Sequence, residues 1–222
     1  MLAIVQARMS STRLPGKVIK EIVGKPMLQW TLERLENSKM LKKVVVATSS
    51  DARDDVVEDF CRAKNVNFHR GPLENVAQRF AEVVTLEKSD SFVRVSGDSP
   101  LIDPALIDQA VSLFRSTTVD LVTNKMPRTF PKGQSVEILN SRHFLKFCGS
   151  STKKEDQEHV TKVFYKNPEN HRIVSFTSGM DTGHIQMSVD TLEDFEMVDK
   201  LIKMSHEHPE GWKKLLSLKA KL

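Results

Sequence analysis

The chain carries two cysteines and one tyrosine, and no apolar run approaches the roughly eighteen residues a membrane helix needs. Cys61 and Cys148 cannot staple a domain of this size, and neither lies in a CxxC pair or beside a histidine at ligand spacing. Both are expected as reduced thiols, which points to a cytoplasmic protein with no structural disulfide. The opening apolar run, Leu2 to Val5, is too short for a signal peptide and is followed at once by Arg8. Repeats, low-complexity tracts and long blocks of one charge sign are also missing. The Walker pattern is absent as well, because Val18 follows Gly16-Lys17 and no glycine stands five residues before Gly16. That argues against a P-loop kinase or ATPase.

What is present is a mild cationic excess, a net charge of +4 with a pI near 9.0, scattered among nearly as many acids. Such a balance suits a small polyanionic ligand and gives no stripe for nucleic acid. The one basic cluster, Lys213, Lys214, Lys219 and Lys221, is expected to close a last helix. A length of 222 residues fits one α/β domain. The densest local signal comes first. A short strand runs into Gln6-Ala7-Arg8-Met9-Ser10-Ser11-Thr12-Arg13-Leu14-Pro15-Gly16-Lys17, which supplies three cations, three hydroxyls and a glycine. These suit a triphosphate. Taken singly, each residue reads equally well as part of a solvated loop.

Strand-like and helix-like segments alternate through the first half: strands at Leu2 to Val5, Val44 to Ala47 and Phe92 to Val95, and helices from about Pro26, Ser50-Asp51 and Pro104. This beat predicts a Rossmann-like, mostly parallel sheet flanked by helices, with ligands beyond the carboxyl ends of the strands. The second half breaks the beat. Residues 124–140, with Pro127, Pro131 and Gly133 and an alternating strand at Ser135 to Leu139, read as a loop and hairpin arm over a cleft or at a dimer interface. Helices are expected from about Lys153 to Tyr165 and Leu192 to Lys203, and strands at Ile173 to Phe176 and Ile185 to Val189.

Two aspartates stand just after strands, Asp98 in Gly97-Asp98-Ser99-Pro100 and Asp190 in Val189-Asp190-Thr191. On one rim they would share a magnesium ion, which takes one or two carboxylates and fills its shell with water and phosphate oxygens. Asp190 reads equally as a helix N-cap, whereas the next helix after Asp98 already has Asp103-Pro104 as its start.

With these pieces located, the chain resembles the sugar cytidylyltransferases, the group of acylneuraminate and KDO cytidylyltransferases, and within it the spore-coat polysaccharide branch. The likeness is carried by Ala7 to Lys17, Gly24-Lys25-Pro26, Val44 to Ser49, Arg70-Gly71, Arg94 to Pro104, Pro127 to Pro131, Glu158-His159-Val160-Thr161 and Val189 to Asp194. It implies a magnesium-dependent enzyme of the nucleotide-diphospho-sugar transferase fold. Such an enzyme joins CTP to a sugar acid, giving a CMP-sugar for surface polysaccharide and releasing pyrophosphate. The resemblance makes Arg8, Lys17 and Asp98 catalytic and Asp98 and Asp190 the metal pair. It leads us to expect Gln6, Ala7, Arg8, Arg13, Lys17, Arg70, Gly71, Asn75, Arg79 and Gly97 around the nucleotide. Arg128, Phe130, Glu137, Glu158 and His159 are expected around the sugar, and family likeness suggests a homodimer. Neither nucleic acid nor a membrane is expected as a partner.

The chain departs from that pattern where relatives carry Asp at the places of Asn75 and Ser135, and Cys at that of Ser99. Two rival readings follow from the residues: a glycosyltransferase of related fold, whose Asp-x-Asp motif is not matched by Asp98-Ser99-Pro100, and a non-catalytic nucleotide-binding or sugar-binding homologue. Retention of Arg8, Lys17, Asp98 and Asp190 speaks against the second.

Overall fold

The computed structural model describes residues 1–150, 154–206 and 210–222. Its first half is built from β1 (Leu2–Gln6), β2 (Glu21–Ile22), β3 (Lys25–Pro26), α1 (Met27–Glu36), β4 (Lys43–Ser49), α2 (Asp55–Ala63), β5 (Asn67–Gly71), α3 (Val76–Leu86), β6 (Ser91–Ser96) and α4 (Pro104–Arg115). The second half adds β7 (Leu121–Thr123), β8 (Glu137–Asn140), α5 (Ser141–Ser150), α6 (Lys154–Glu158), α7 (Lys162–Lys166), β9 (Ile173–Ser175), α8 (Leu192–Met204) and α9 (Trp212–Lys219). Seven strands form one sheet in the order β5-β4-β1-β6-β8-β7-β9, and β2 and β3 pair antiparallel in a separate two-stranded sheet. β5, β4, β1 and β6 run parallel, β8 runs antiparallel to both its neighbours, and β7 and β9 are parallel to each other.

Both faces of this sheet are covered, which is why β1 is apolar without a break. Ala3 and Val5 pack into one core with Trp30, Leu35, Ile107 and Val198, while Leu2 and Ile4 face a second core with Phe80, Phe92, Phe144 and Phe164. Successive side chains of a strand point to opposite faces, so one strand feeds both cores. The helix starts follow local chemistry. The Asp103 carboxylate accepts the Ala105 N–H with Pro104 in the first turn, and Thr191 and Asp194 form a reciprocal capping box at α8. Asp190 is therefore not the cap of α8; its own N–H donates to Asp194 Oδ2.

The structure corrects the sequence reading at several places. The strand expected at Ser135 to Leu139 begins at Glu137 and lies in the middle of the sheet, so the last residues of the supposed arm are core. Its apparent alternation came from Glu137, a carboxylate that is 1% exposed and ion-paired. Ile185 to Val189 is not a ladder strand. It is an extended segment joined by single hydrogen bonds, Lys132 N–H to Ile185 O, Met187 N–H to Lys132 O and Val189 N–H to Asp98 O. A side chain at Gly133 would come within 2.7 Å of the Met187 backbone, which is what holds a glycine there. The helix expected from Lys153 to Tyr165 is two short helices with a turn after Glu158; Lys153 itself lies outside the described residues. Lys213 and Lys214 sit in the first turn of α9, and only Lys219 lies in its last turn. β5, α3 and β7 had no counterpart in the periodicity.

Candidate active site

The loop after β1 turns back on itself at its glycine: Gly16, at φ +72°, donates its N–H to the Met9 carbonyl. Its outer edge is tied down by Asp54, 1% exposed, whose carboxylate accepts the Met9 N–H at 2.6 Å and is hydrogen-bonded by Ser49. Asp54 had no motif in the sequence, and its role depends on α2 packing beside β4. The folded loop delivers Lys17 to the sheet rim. There its ammonium, on a residue 8% exposed, donates to Asp98 Oδ2 at 2.9 Å, to the Val189 carbonyl at 2.6 Å and to Asp190 Oδ1 at 3.3 Å. Arg13 meets Asp190 at 2.8 Å and Arg8 meets Glu158 at 3.4 Å. Asp98 lies just past β6 and Asp190 just before α8, so residues distant in sequence converge at one point.

These groups line a hollow of about 350 Å³ together with Gln6, Ser10, Ser11, Thr12, Arg94, Ser96 and His159. A second hollow of about 210 Å³ opens from the same rim and shares Arg94, Ser96 and Asp98 with the first; Lys125, Arg128, Lys132 and Ser135 complete its cationic wall. The expected arm thus contributes its loop to the cleft. A larger hollow of about 380 Å³ lies beside Leu35, Lys43 and Asn67, at the opposite end of the strands, and touches none of these groups.

Of the expected nucleotide residues, Gln6, Arg8, Arg13 and Lys17 meet in the first hollow. Ala7 is buried in the core, and Gly97 lets β6 close on β1, where a Cβ would stand 2.9 Å from the Gln6 carbonyl oxygen. Arg70 points elsewhere. Its guanidinium clamps Glu58, Asp55 and the carbonyls of Ser49 and Asp51. Gly71 packs against Arg79 and Glu82, and the Asn75 side chain caps α3 by accepting the Gln78 N–H. Arg79 is fully buried and donates to the Pro72 and Leu73 carbonyls, fixing the turn before α3. Burial pulls its guanidinium down to about 10, so it stays charged at neutral pH.

Of the expected sugar residues, Arg128 lines the second hollow and donates to Ser135 Oγ at 3.0 Å, while Glu158 and His159 line the first. Phe130 does not. It is 3% exposed and packs edge-on against Phe176 and Trp212 in the core. Glu137 is likewise no direct contact. Burial alone would raise its carboxyl, but the charges of Lys125 and Arg94, with hydrogen bonds from Tyr165 and Thr161, outweigh that and hold it at about 2. Arg94, which faces both hollows, was missed as a site residue because a basic residue inside an apolar strand carries no motif of its own.

Residues 2–221 match the family described as Cytidylyltransferase. The spore coat polysaccharide biosynthesis protein SpsF of Bacillus subtilis is 28% identical over 219 residues, 95% of this chain and 89% of its own length. A 3-deoxy-manno-octulosonate cytidylyltransferase of Francisella philomiragia is 29% identical over 213 residues, 89% of this chain and 83% of its own length. Among solved structures, a cytidylyltransferase from Leptospira borgpetersenii superposes with a TM-score of 0.94 at 29% identity, covering 99% of this chain and 93% of that one. With the sheet order, the rim of carboxylates and cations and a match running through nearly every residue, the chain belongs to the cytidylyltransferase family.

Proposed function

We propose that the chain is one nucleotidyltransferase domain that transfers the cytidylyl group of CTP to a hydroxyl of an acidic sugar, giving a CMP-sugar for surface polysaccharide and pyrophosphate. The observation that carries this reading is Lys17, held between Asp98 and Asp190 at the junction of two hollows. CTP takes the first hollow, with Arg8, Arg13 and Lys17 on its phosphates, and the sugar takes the second. Its hydroxyl oxygen attacks the α-phosphorus in line, the bond to the β-phosphate breaks, pyrophosphate leaves and the hydroxyl proton passes to solvent. Lys17 and Arg8 meet negative charge as it moves onto the leaving group, and Arg128 orients the sugar through its acidic group.

The rim fits magnesium. Asp98 and Asp190 already accommodate one positive charge between them, and among the described residues no third carboxylate, histidine or cysteine joins them. A pair of carboxylates open to phosphate oxygens is the donor set that ion takes. When bound, it supplies charge neutralisation on those oxygens.

Pyrophosphate release measured with each of the four nucleoside triphosphates, magnesium and a panel of sugar acids tests the proposal. Release with CTP and an acidic sugar is expected. Release with another triphosphate alone, or none with any sugar, overturns it.

A further inference from the structure

The charges around the second hollow do not balance. Arg94, Lys125, Arg128 and Lys132 line about 210 Å³ of space, and Asp98 is the one carboxylate among the lining residues. Asp98 is already engaged by Lys17 at 2.9 Å. From behind, buried Glu137 takes Arg94 Nη1 at 2.7 Å on one oxygen and Lys125 Nζ at 3.2 Å on the other, so one negative charge serves two cations. Arg128 is left with a hydroxyl, Ser135 Oγ, and among the described residues neither Arg128 nor Lys132 has a carboxylate within 4.0 Å.

Glu137 offsets one of the cations on its side, and nothing offsets the two on the loop side. Two adjoining seats result. The inner one is Arg94 with Lys125, made rigid by Glu137 and by Tyr165, whose hydroxyl donates to Glu137 at 2.6 Å. Arg94 and Glu137 are also directly opposite each other on β6 and β8, so the brace is built into the sheet register. The Arg94 Nε is buried without a partner among the described residues, while its Nη2 reaches Gln6 Oε1 at 3.3 Å. The outer seat is Arg128 with Lys132, on the loop that Gly133 pins against Met187; the Arg128 backbone bridges to that of Lys125, so the two seats adjoin along one wall of the hollow.

We propose that the acceptor is a doubly anionic sugar, one acidic group seated on Arg94 and Lys125 and a second negative charge met by Arg128 and Lys132. This rests on the assignment of the second hollow to the acceptor. The chemistry that satisfies both seats is a sugar bearing a phosphate monoester or two acidic groups. A single carboxylate leaves one seat of like charges facing each other. Arg94 and Arg128 contact the substrate, whereas Glu137 is a positioning residue that acts through Arg94 and Lys125.

The test titrates magnesium-CTP-loaded protein by calorimetry with four acceptors matched in size: a neutral sugar, a monocarboxylate, a sugar phosphate and a dicarboxylate; pyrophosphate release is followed in parallel. Both doubly charged acceptors are expected to bind about tenfold or more tightly than the monocarboxylate, the scale of one added charge-assisted contact. Arg128→Ala and Lys132→Ala should each cost the doubly charged acceptors at least about tenfold more affinity than they cost the monocarboxylate. Glu137→Gln should raise the acceptor KM more than it raises the CTP KM, which Arg94 also borders, and more than it lowers kcat. Equal affinity for singly and doubly charged acceptors, or loss of both alike in the loop variants, overturns the proposal. Tight binding of the doubly charged acceptors without pyrophosphate release supports the two seats and defeats the transferase reading instead. A preference for the phosphate over the dicarboxylate identifies the source of the second charge.

Discussion

Lys17 donates to the backbone carbonyl of Val189 at 2.6 Å, nearer than to either carboxylate beside it. The carbonyl holds the ammonium in place, and the carboxylates set its charge balance. Asp98→Asn and Asp190→Asn should therefore preserve the fold, seen as an unchanged circular dichroism spectrum. Each should lower turnover about a hundredfold or more, the scale of losing one preorganised charge in a water-poor site. Asp98, closer to Lys17, should cost at least as much as Asp190. Near wild-type turnover in either variant at saturating magnesium removes that residue from the site.

Arg8 spends the free state against Glu158 at 3.4 Å, with the Glu158 side chain half exposed. Such a pair is worth under about 1 kcal/mol, so the arginine is readily surrendered to a phosphate. Arg8→Ala should weaken CTP binding far more than CMP binding in parallel calorimetric titrations. Equal losses for the two nucleotides would place Arg8 on the base or ribose.

Phe130→Ala should act on stability. It removes the ring wedged between Phe176 and Trp212, and a buried Phe→Ala change costs about 3–5 kcal/mol. The denaturation midpoint should drop accordingly, with the acceptor KM unchanged below the new melting temperature. A raised KM at unchanged stability would return Phe130 to the sugar pocket.

His143 Nε2 and His171 Nδ1 lie 2.9 Å apart, so one proton fits between the rings and a second does not. Burial lowers both from the usual value of 6.5; Lys146 and Arg172 push His143 down further against the opposing pull of Asp120, and His143 pushes down His171. Below pH 6.5 the unfolded chain therefore binds more protons than the folded one, and stability falls as the pH drops through and below that value. Glu137, held at about 2 against an ordinary 4.5, adds stability that is complete above 4.5 and is lost towards pH 2. Melting temperatures between pH 8 and 2 should decline in two stages, and His143→Gln should shrink the first alone. A flat profile from pH 7 to 5 in the wild type contradicts this.

The parallel half of the sheet was legible because its strands are short apolar runs, buried on both faces, with Asp103-Pro104 marking a helix start in plain chemistry. The meeting of the Gln6–Lys17 loop with both aspartates at one rim was legible for a related reason: local composition there is unlike any core. β5, Asn67-Phe68-His69-Arg70-Gly71, was hidden because an edge strand with charged and polar residues has no period to read. Arg70 and Arg79 misled in opposite ways. Both are basic residues near a glycine in the expected nucleotide segment, yet one is spent on Glu58 and Asp55 and the other on backbone carbonyls of a buried turn. A cation's partner is decided by tertiary neighbours, and local spacing does not contain them. Glu137 failed for the converse reason: a carboxylate looks solvent-facing until two cations and a tyrosine are found around it.

The antiparallel pairing of β6 with β8 places Arg94 opposite Glu137 on the line where the parallel half of the sheet gives way to the rest. On one side of that line lies the strand that leads into the loop of Arg8, Arg13 and Lys17; on the other lie β7, β8 and β9, and the connection of β7 to β8 bears Lys125, Arg128 and Lys132. The second set comes from one continuous stretch, from Leu121 to Ser175. Grafting that stretch from one relative into another therefore has to keep the cross-strand ion pair, together with the bonds that tie its loop to the rest of the chain, Gln134 to Leu101 and Asp103 and Lys132 to Ile185 and Met187. On the proposed assignment of the two hollows, exchange of that one segment would change the acceptor side and keep the loop of Arg8, Arg13 and Lys17 as it is.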